Sequence, residues 1–189
     1  EDTDAPETLE WVQVQNRITF AYLEAIPARR RLLERLTELW NYPRQMAPFH
    51  RGGHYFQLRN SGLQNQDVLF TFDHLTESGR GLLDPNTLSS DGTVALTDWA
   101  VSKDGGWLAY ATSASGSDWK TWHVRSVESG VDLPDRVEWS KFSPAAWLPD
   151  GSGFYYGRYA EPDSQPALKD LNRGQMLYLH RLGQPLGFI

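Results

Sequence analysis

The sequence predicts a mainly β protein opened by a short helical segment, and three observations carry that prediction. Eight each of Trp, Tyr and Phe stand beside sixteen Gly and eleven Pro in 189 residues, a mixture suited to short strands joined by tight turns. Apolar residues recur at helical spacing up to about residue 40, and from Pro43 onward they fall in short runs of period two. Turn glycines followed by an aromatic strand return at intervals of about 50 residues. An apolar share of 40% is enough to build a sizeable core.

Taken in order, Glu7 or Thr8 opens a helix that carries Trp11, Val14, Gln15, Ile18, Tyr22 and Ala25 on one face. Pro27 breaks it. A second helix over 28–40 sets Leu32, Leu33, Leu36, Leu39 and Trp40 on an apolar stripe and leaves Arg30, Arg31, Glu34 and Glu38 for water. The basic run Arg29-Arg30-Arg31 with Arg35 reads as the solvated face of that helix. A boundary is expected between 41 and 48, punctuated by Asn41, Pro43 and Pro48, dividing the chain into a helical segment over 1–42 and a β region over 43–189.

Three passages of the β region align: RGGHYFQLRNSG from Arg51, KDGGWLAYATSASG from Lys103 and PDGSGFYYGRYAEP from Pro149. Each runs from a turn glycine through aromatics into a strand, and a further strand-like run follows: DVLFTFD, TWHVRSVESG and QMLYLHRLG. A period this long holds four short strands, which is the size of a β-propeller blade. Trp99 and Trp147, just ahead of the two later turns, are the expected fillers between blades, each able to bury on the order of 200 Å². At about 50 residues per blade the β region holds barely three, whereas closed propellers have about four to eight, so the chain is expected to be a piece of a longer protein. The open last edge predicts self-association of the isolated chain.

Chemistry is sparser than architecture. A net charge of −6 argues against a nucleic-acid partner, and no apolar run approaches the length of a bilayer span, so no membrane partner is expected. Cysteine is absent, which removes disulfides, thiol catalysis and zinc-thiolate sites without choosing a compartment; cytoplasmic and periplasmic settings both fit. No Gly-x-Ser-x-Gly elbow is present. His50 and His54 have i, i+4 spacing, but HRGGH is not helical in character; on one extended strand the two rings lie roughly 13 Å apart, too far to share a metal. Carboxylates at Asp84, Asp91, Asp104, Asp150 and Asp163 each belong to turn sequences. No catalytic residue, metal or cofactor is therefore assigned to this chain. Read from the residues alone, Phe142, in Lys141-Phe142-Ser143, is a core aromatic, and Asp118, in Gly116-Ser117-Asp118-Trp119, is a turn cap.

Several passages together carry a family resemblance. Glu1-Asp2, Ala5-Pro6-Glu7-Thr8 and Trp11-Val12-x-x-Gln15-Asn16 are followed by Tyr42-Pro43-Arg44, Phe49-x-Arg51-Gly52-Gly53-x-Tyr55-Phe56, the run from Arg59 to Gln66, and Leu82-Leu83-Asp84-Pro85-Asn86. Next come Ser113 to Trp119, Leu133-Pro134-Asp135, Lys141-Phe142-Ser143, Trp147-x-x-Asp150-Gly151 and Phe154-Tyr155-Tyr156. In this order the chain resembles the N-terminal portion of the prolyl oligopeptidases. The sequence departs from the pattern at Pro144, where a small residue or Cys is usual, and at the close from Pro185 to Ile189.

The resemblance implies a parent serine peptidase that cleaves short peptides after proline, with an α/β-hydrolase domain capped by a seven-bladed propeller that gates access. Residues 1–42 would belong to the hydrolase domain and 43–189 to the first two to three blades. The Ser, Asp and His of the triad would lie in the remaining C-terminal part, leaving this chain inactive alone. Phe142 would line the substrate pocket, and Asp118 would face the hydrolase domain, where it could pair with an Arg. The alternative reading is a non-catalytic TolB-like propeller for protein interaction, which does not predict the opening helices.

Overall fold

The structure, a computed structural model, describes residues 5–161 and 173–184. Asp163, Glu1-Asp2 and the passage from Pro185 to Ile189 lie outside the described residues. The chain divides into two compact units, Glu1–Tyr42 and Pro43–Ile189.

In the first unit, helix α1 runs Pro6–Glu24 and α2 runs Arg29–Trp40. Pro6 sits in the first turn of α1, where a missing N–H costs no hydrogen bond and the fixed φ suits the helix. Glu7 adds a carboxylate at the positive end of the helix dipole. Pro27 keeps the two helices apart. The basic run of α2 faces water, with Arg30 on Glu34 at 2.9 Å and Arg35 on Glu38 at 2.7 Å, pairs worth little when exposed. The apolar stripes are formed but uncovered: Trp11, Tyr22, Leu33, Leu36 and Trp40 are all more than half exposed, and neither helix buries a residue.

The second unit is three antiparallel sheets. The first comprises β1 Arg44–Gln45, β2 Phe49–Arg51, β3 His54–Asn60, β4 Val68–Phe72 and β5 Arg80–Leu83. Both β1 and β2 lie against β3 as one interrupted strand, whose register slips by one residue across 46–48; Pro48 has no N–H to offer the ladder. The second sheet is a four-stranded meander of β6 Val94–Val101, β7 Trp107–Ala114, β8 Lys120–Ser126 and β9 Asp132–Ser140. Pro134 is tolerated because β9 is the edge strand. The third contains β10 Ala146–Trp147, β11 Gly153–Arg158 and β12 Met176–Arg181.

Two apolar layers join these sheets. Phe56, Leu69, Leu82 and Leu83 of the first sheet meet Val101, Leu108 and Tyr110 of the second, and Ala109, Ala111, Trp122, Val124 and Val137 of the second meet Phe154, Tyr156 and Tyr178 of the third. Strand β7 therefore buries both faces, Leu108 and Tyr110 on one side and Ala109 and Ala111 on the other. The small alanines leave room for Trp122 and Phe154, both fully buried. Burial on two faces explains why this strand lacks polar alternation.

The aromatic residues before the turns bridge neighbouring sheets. Trp99 packs at a tilt against Phe49 of β2 with centroids 5.3 Å apart, and Trp147 Nε1 donates to Ala100 O of β6 at 2.9 Å. The repeated glycines reverse the chain between the first and second strands of each sheet. Those turns also touch one another: a Cβ on Gly52, at φ +54, would lie 1.8 Å from Asp104 O, and one on Gly151 would lie 3.3 Å from the Asp104 carboxylate. Only glycine permits the first of these contacts.

Candidate functional site

Each sheet has a turn end, formed by 52–53, 102–106 and 148–152, and an opposite loop end, formed by 61–67, 84–93, 114–119 and 141–145. Asp118 and Phe142 both fall at the loop end, on the β7–β8 and β9–β10 connections, and β1 also starts there. Strand direction alone brings them to one side of the unit, since each follows a strand running away from the turn end.

The loop carrying Asp118 is closed by serines. Ser117 N–H donates to Ala114 O at 3.0 Å, Trp119 N–H donates to Ser117 Oγ at 3.1 Å, and Ser113 Oγ donates to Ser117 O. Ser115 and Gly116 take the left-handed backbone, at φ 52 and φ 74. Ser117 thus performs the capping expected of Asp118, whose side chain is exposed.

Phe142 stands on a strained arm. Trp139 at φ 63 and Phe142 at φ 51 both occupy the left-handed region, which costs a bulky residue about 1–3 kcal/mol and persists only where surroundings enforce it. The enforcing contacts are explicit. Ser140 Oγ donates to Gly157 O at 2.8 Å and accepts from Trp122 Nε1 at 3.2 Å. Gly157 N–H donates to Ser143 Oγ at 2.7 Å, Tyr159 N–H to Trp139 O at 2.9 Å, and Gln175 Nε2 to Lys141 O at 2.9 Å. Gly157 has no side chain to interfere; a Cβ there would lie 2.9 Å from Ser143 Cβ. The outcome is a Phe142 ring 60% exposed, which removes the core-phenylalanine reading.

Trp119 joins the two loops. It meets Trp139 edge-on at 5.5 Å and Tyr159 at 6.0 Å, and the buried Lys141 holds its ammonium 3.8 Å from the centre of the Trp119 ring. That contact suits a desolvated cation. Beside it opens a cleft of about 430 Å³ lined by Tyr110, Thr112, Ser117, Trp119, His123 and Arg136. Burial, helped by the Arg136 guanidinium, holds the His123 imidazole below its usual value, and burial with the nearby Asp132 carboxylate pushes the Tyr110 phenol up to about 12. The His123 ring stacks on Tyr110 at 5.0 Å, with Nε2 3.1 Å from Thr112 Oγ1. This is an aromatic surface with polar edges, suited to binding.

Other candidates resolve into structural roles. His50 and His54 are not on one extended strand: the Gly52-Gly53 turn sets them on β2 and β3, with His50 against Tyr55 and His54 Nδ1 2.6 Å from Asp73 Oδ1. Among the described residues no three His, Asp or Glu side chains gather as a metal site. Asp84, Asp91, Asp104 and Asp150 each accept from the backbone N–H two residues on. No described helix is long and apolar enough to cross a membrane. A roomier cleft of about 730 Å³ lies at the turn end, away from Asp118 and Phe142, with His54, Asp73 and Arg80 in its lining.

Sequence reading missed two features. Asp135 and His180 form a fully buried pair, Oδ1 to Nε2 at 2.7 Å, tying β9 to β12, and Asp135 Oδ1 also accepts from Gly183 N–H at 2.8 Å. Their wide separation in the chain hides the pairing. The left-handed backbone at Trp139 and Phe142 has no signal in residue type, since neither residue favours it.

Comparison with known proteins identifies the setting of this surface. Residues 1–187 match the model of the prolyl oligopeptidase N-terminal beta-propeller domain. The chain is 36% identical to a prolyl endopeptidase of Elizabethkingia meningoseptica over 97% of its length and 26% of the relative's, and 35% identical to prolyl oligopeptidase A of Galerina marginata over 95% and 28%. Among solved structures, it matches one from an analysis of two prolyl endopeptidases at a TM-score of 0.87, 32% identity and coverage of 97% and 27%. It matches prolyl oligopeptidase B of Galerina marginata, bound to a 25mer macrocyclization substrate, at 0.82, 32% identity and coverage of 97% and 28%. The chain spans about a quarter of the length of the curated relatives it matches. It belongs to the prolyl oligopeptidase family, within that family's N-terminal propeller domain.

Proposed function

We propose that this chain contributes the N-terminal part of a serine peptidase that cleaves short proline-containing peptides after proline, its sheets forming the first blades of a seven-bladed propeller that gates the substrate. Residues 1–42 are assigned to the hydrolase domain, whose remaining part supplies the nucleophile, acid and base. The uncovered apolar stripes of α1 and α2 support that assignment, because such stripes gain stability only when another surface covers them. Phe142 contacts the substrate and Asp118 pairs with an Arg of the catalytic portion. The single observation that carries the reading is the family match over 1–187, with both residues exposed at one end of the sheets.

The test compares hydrolysis of a Gly-Pro reporter by the 189-residue chain and by the longer polypeptide that includes a downstream Gly-x-Ser-x-Gly segment. Turnover is expected from the longer polypeptide alone. Turnover by the 189 residues themselves would overturn the assignment of catalysis to the rest of the protein.

A further inference from the structure

We propose that Ser143 and Lys141 are positioning residues that set the place of Phe142 and thereby the enzyme's preference for apolar side chains in longer peptides; this rests on Phe142 being a substrate contact. The arm over 139–143 carries two bulky residues in left-handed backbone, Trp139 and Phe142. A segment in that conformation relaxes unless it is held at several points. Ser143 Oγ holds one, by accepting the Gly157 N–H at 2.7 Å and donating to Pro144 O at 3.1 Å. Lys141 holds another, through its carbonyl on Gln175 and its ammonium over Trp119. Phe142, between them, is 60% exposed, so its own ring is not what fixes its place. The place of an exposed ring then follows from the backbone that carries it, and Ser143 and Lys141 hold that backbone on either side of Phe142.

An aromatic platform selects substrate by apolar contact, and a small displacement of it weakens binding without touching the reacting groups. The test uses the full polypeptide and two reporters, a Gly-Pro reporter and the same reporter extended by an N-terminal Phe. Phe142→Ala is expected to raise KM for the extended reporter about 10-fold, a larger rise than for the short reporter. Ser143→Ala and Lys141→Met should reproduce the selective rise at about 5-fold, and Phe142→Ala combined with Ser143→Ala should add nothing to Phe142→Ala alone. If Phe142→Ala changes neither reporter, the substrate role of Phe142 fails. If it acts while folded Ser143→Ala and Lys141→Met proteins match the parent, or if the combined variant loses further, the positioning role fails. Lys141→Met keeps the apolar stem, so it decides the matter should Ser143→Ala not fold.

Discussion

The two ends of the propeller unit depart from ordinary backbone geometry in opposite ways. At the turn end the left-handed positions are glycines, Gly52, Gly105 and Gly151, and the turns approach so closely that a side chain at Gly52 would collide with Asp104. At the loop end the left-handed positions include Trp139 and Phe142, large residues with no steric licence for it. Glycine at the turn end makes unusual geometry inexpensive and serves packing. Aromatic residues at the loop end hold unusual geometry at a cost, and what the cost secures is an exposed ring.

The comparison breaks most sharply at Gly52. Gly52→Ala should abolish folding of the propeller unit, a loss above about 4 kcal/mol, because the clash is with backbone that cannot move aside. Gly116→Ala, also left-handed but with open space around it, should cost only about 1 kcal/mol; equal melting temperatures for the two variants would erase the distinction between ends. Next in size, Asp135→Ala strands the Gly183 N–H and buried His180 and should cost about 3 kcal/mol in chemical denaturation. A change under about 1 kcal/mol would show that the pair does not tie the second and third sheets.

Phe142→Gly sharpens the contrast from the other side. Relief of about 1–2 kcal/mol of backbone strain exceeds the conformational freedom glycine adds to the unfolded chain, about 0.5–1 kcal/mol, so the variant should melt slightly higher. A lower melting temperature would mean that the arm is not strained.

The smallest effect concerns His123, whose pKa lies below its usual 6.5 chiefly through burial. The folded state then binds the proton less well than the unfolded chain, so the stability His123 confers is present above pH 6.5 and drains as pH falls through the depressed value. Between about pH 7 and about pH 5, His123→Gln should show a shallower loss of melting temperature than the parent. Identical slopes would assign the acid sensitivity to other groups.

Local chemistry was the legible part of this molecule. The two helices, the boundary near Pro43, the hairpin glycines and the turn carboxylates all follow from residue type and spacing, and Trp99 and Trp147 were found because bulky residues recur beside each turn. What stayed hidden depends on partners remote in sequence or on backbone that residue type disfavours. Asp135 stands out in the sequence only within the Leu133-Pro134-Asp135 passage, and its partner His180 comes from β12, far along the chain. The Gly52-Gly53 reversal places His50 and His54 on paired strands, so their separation is set by the hairpin and not by the extended spacing of one strand. Phe142 was singled out through family resemblance, but its exposure follows from clamps by Ser140 and Ser143 on Gly157, a residue whose importance lies in the side chain it lacks.

The hydrogen bond from the Trp147 indole to the Ala100 carbonyl gives assembly a direction. Its acceptor is made before its donor during synthesis, and the acceptor strand is already braced by its hairpin partner. The third sheet can therefore take its alignment from the second, whose β6–β7 hairpin precedes it in the chain.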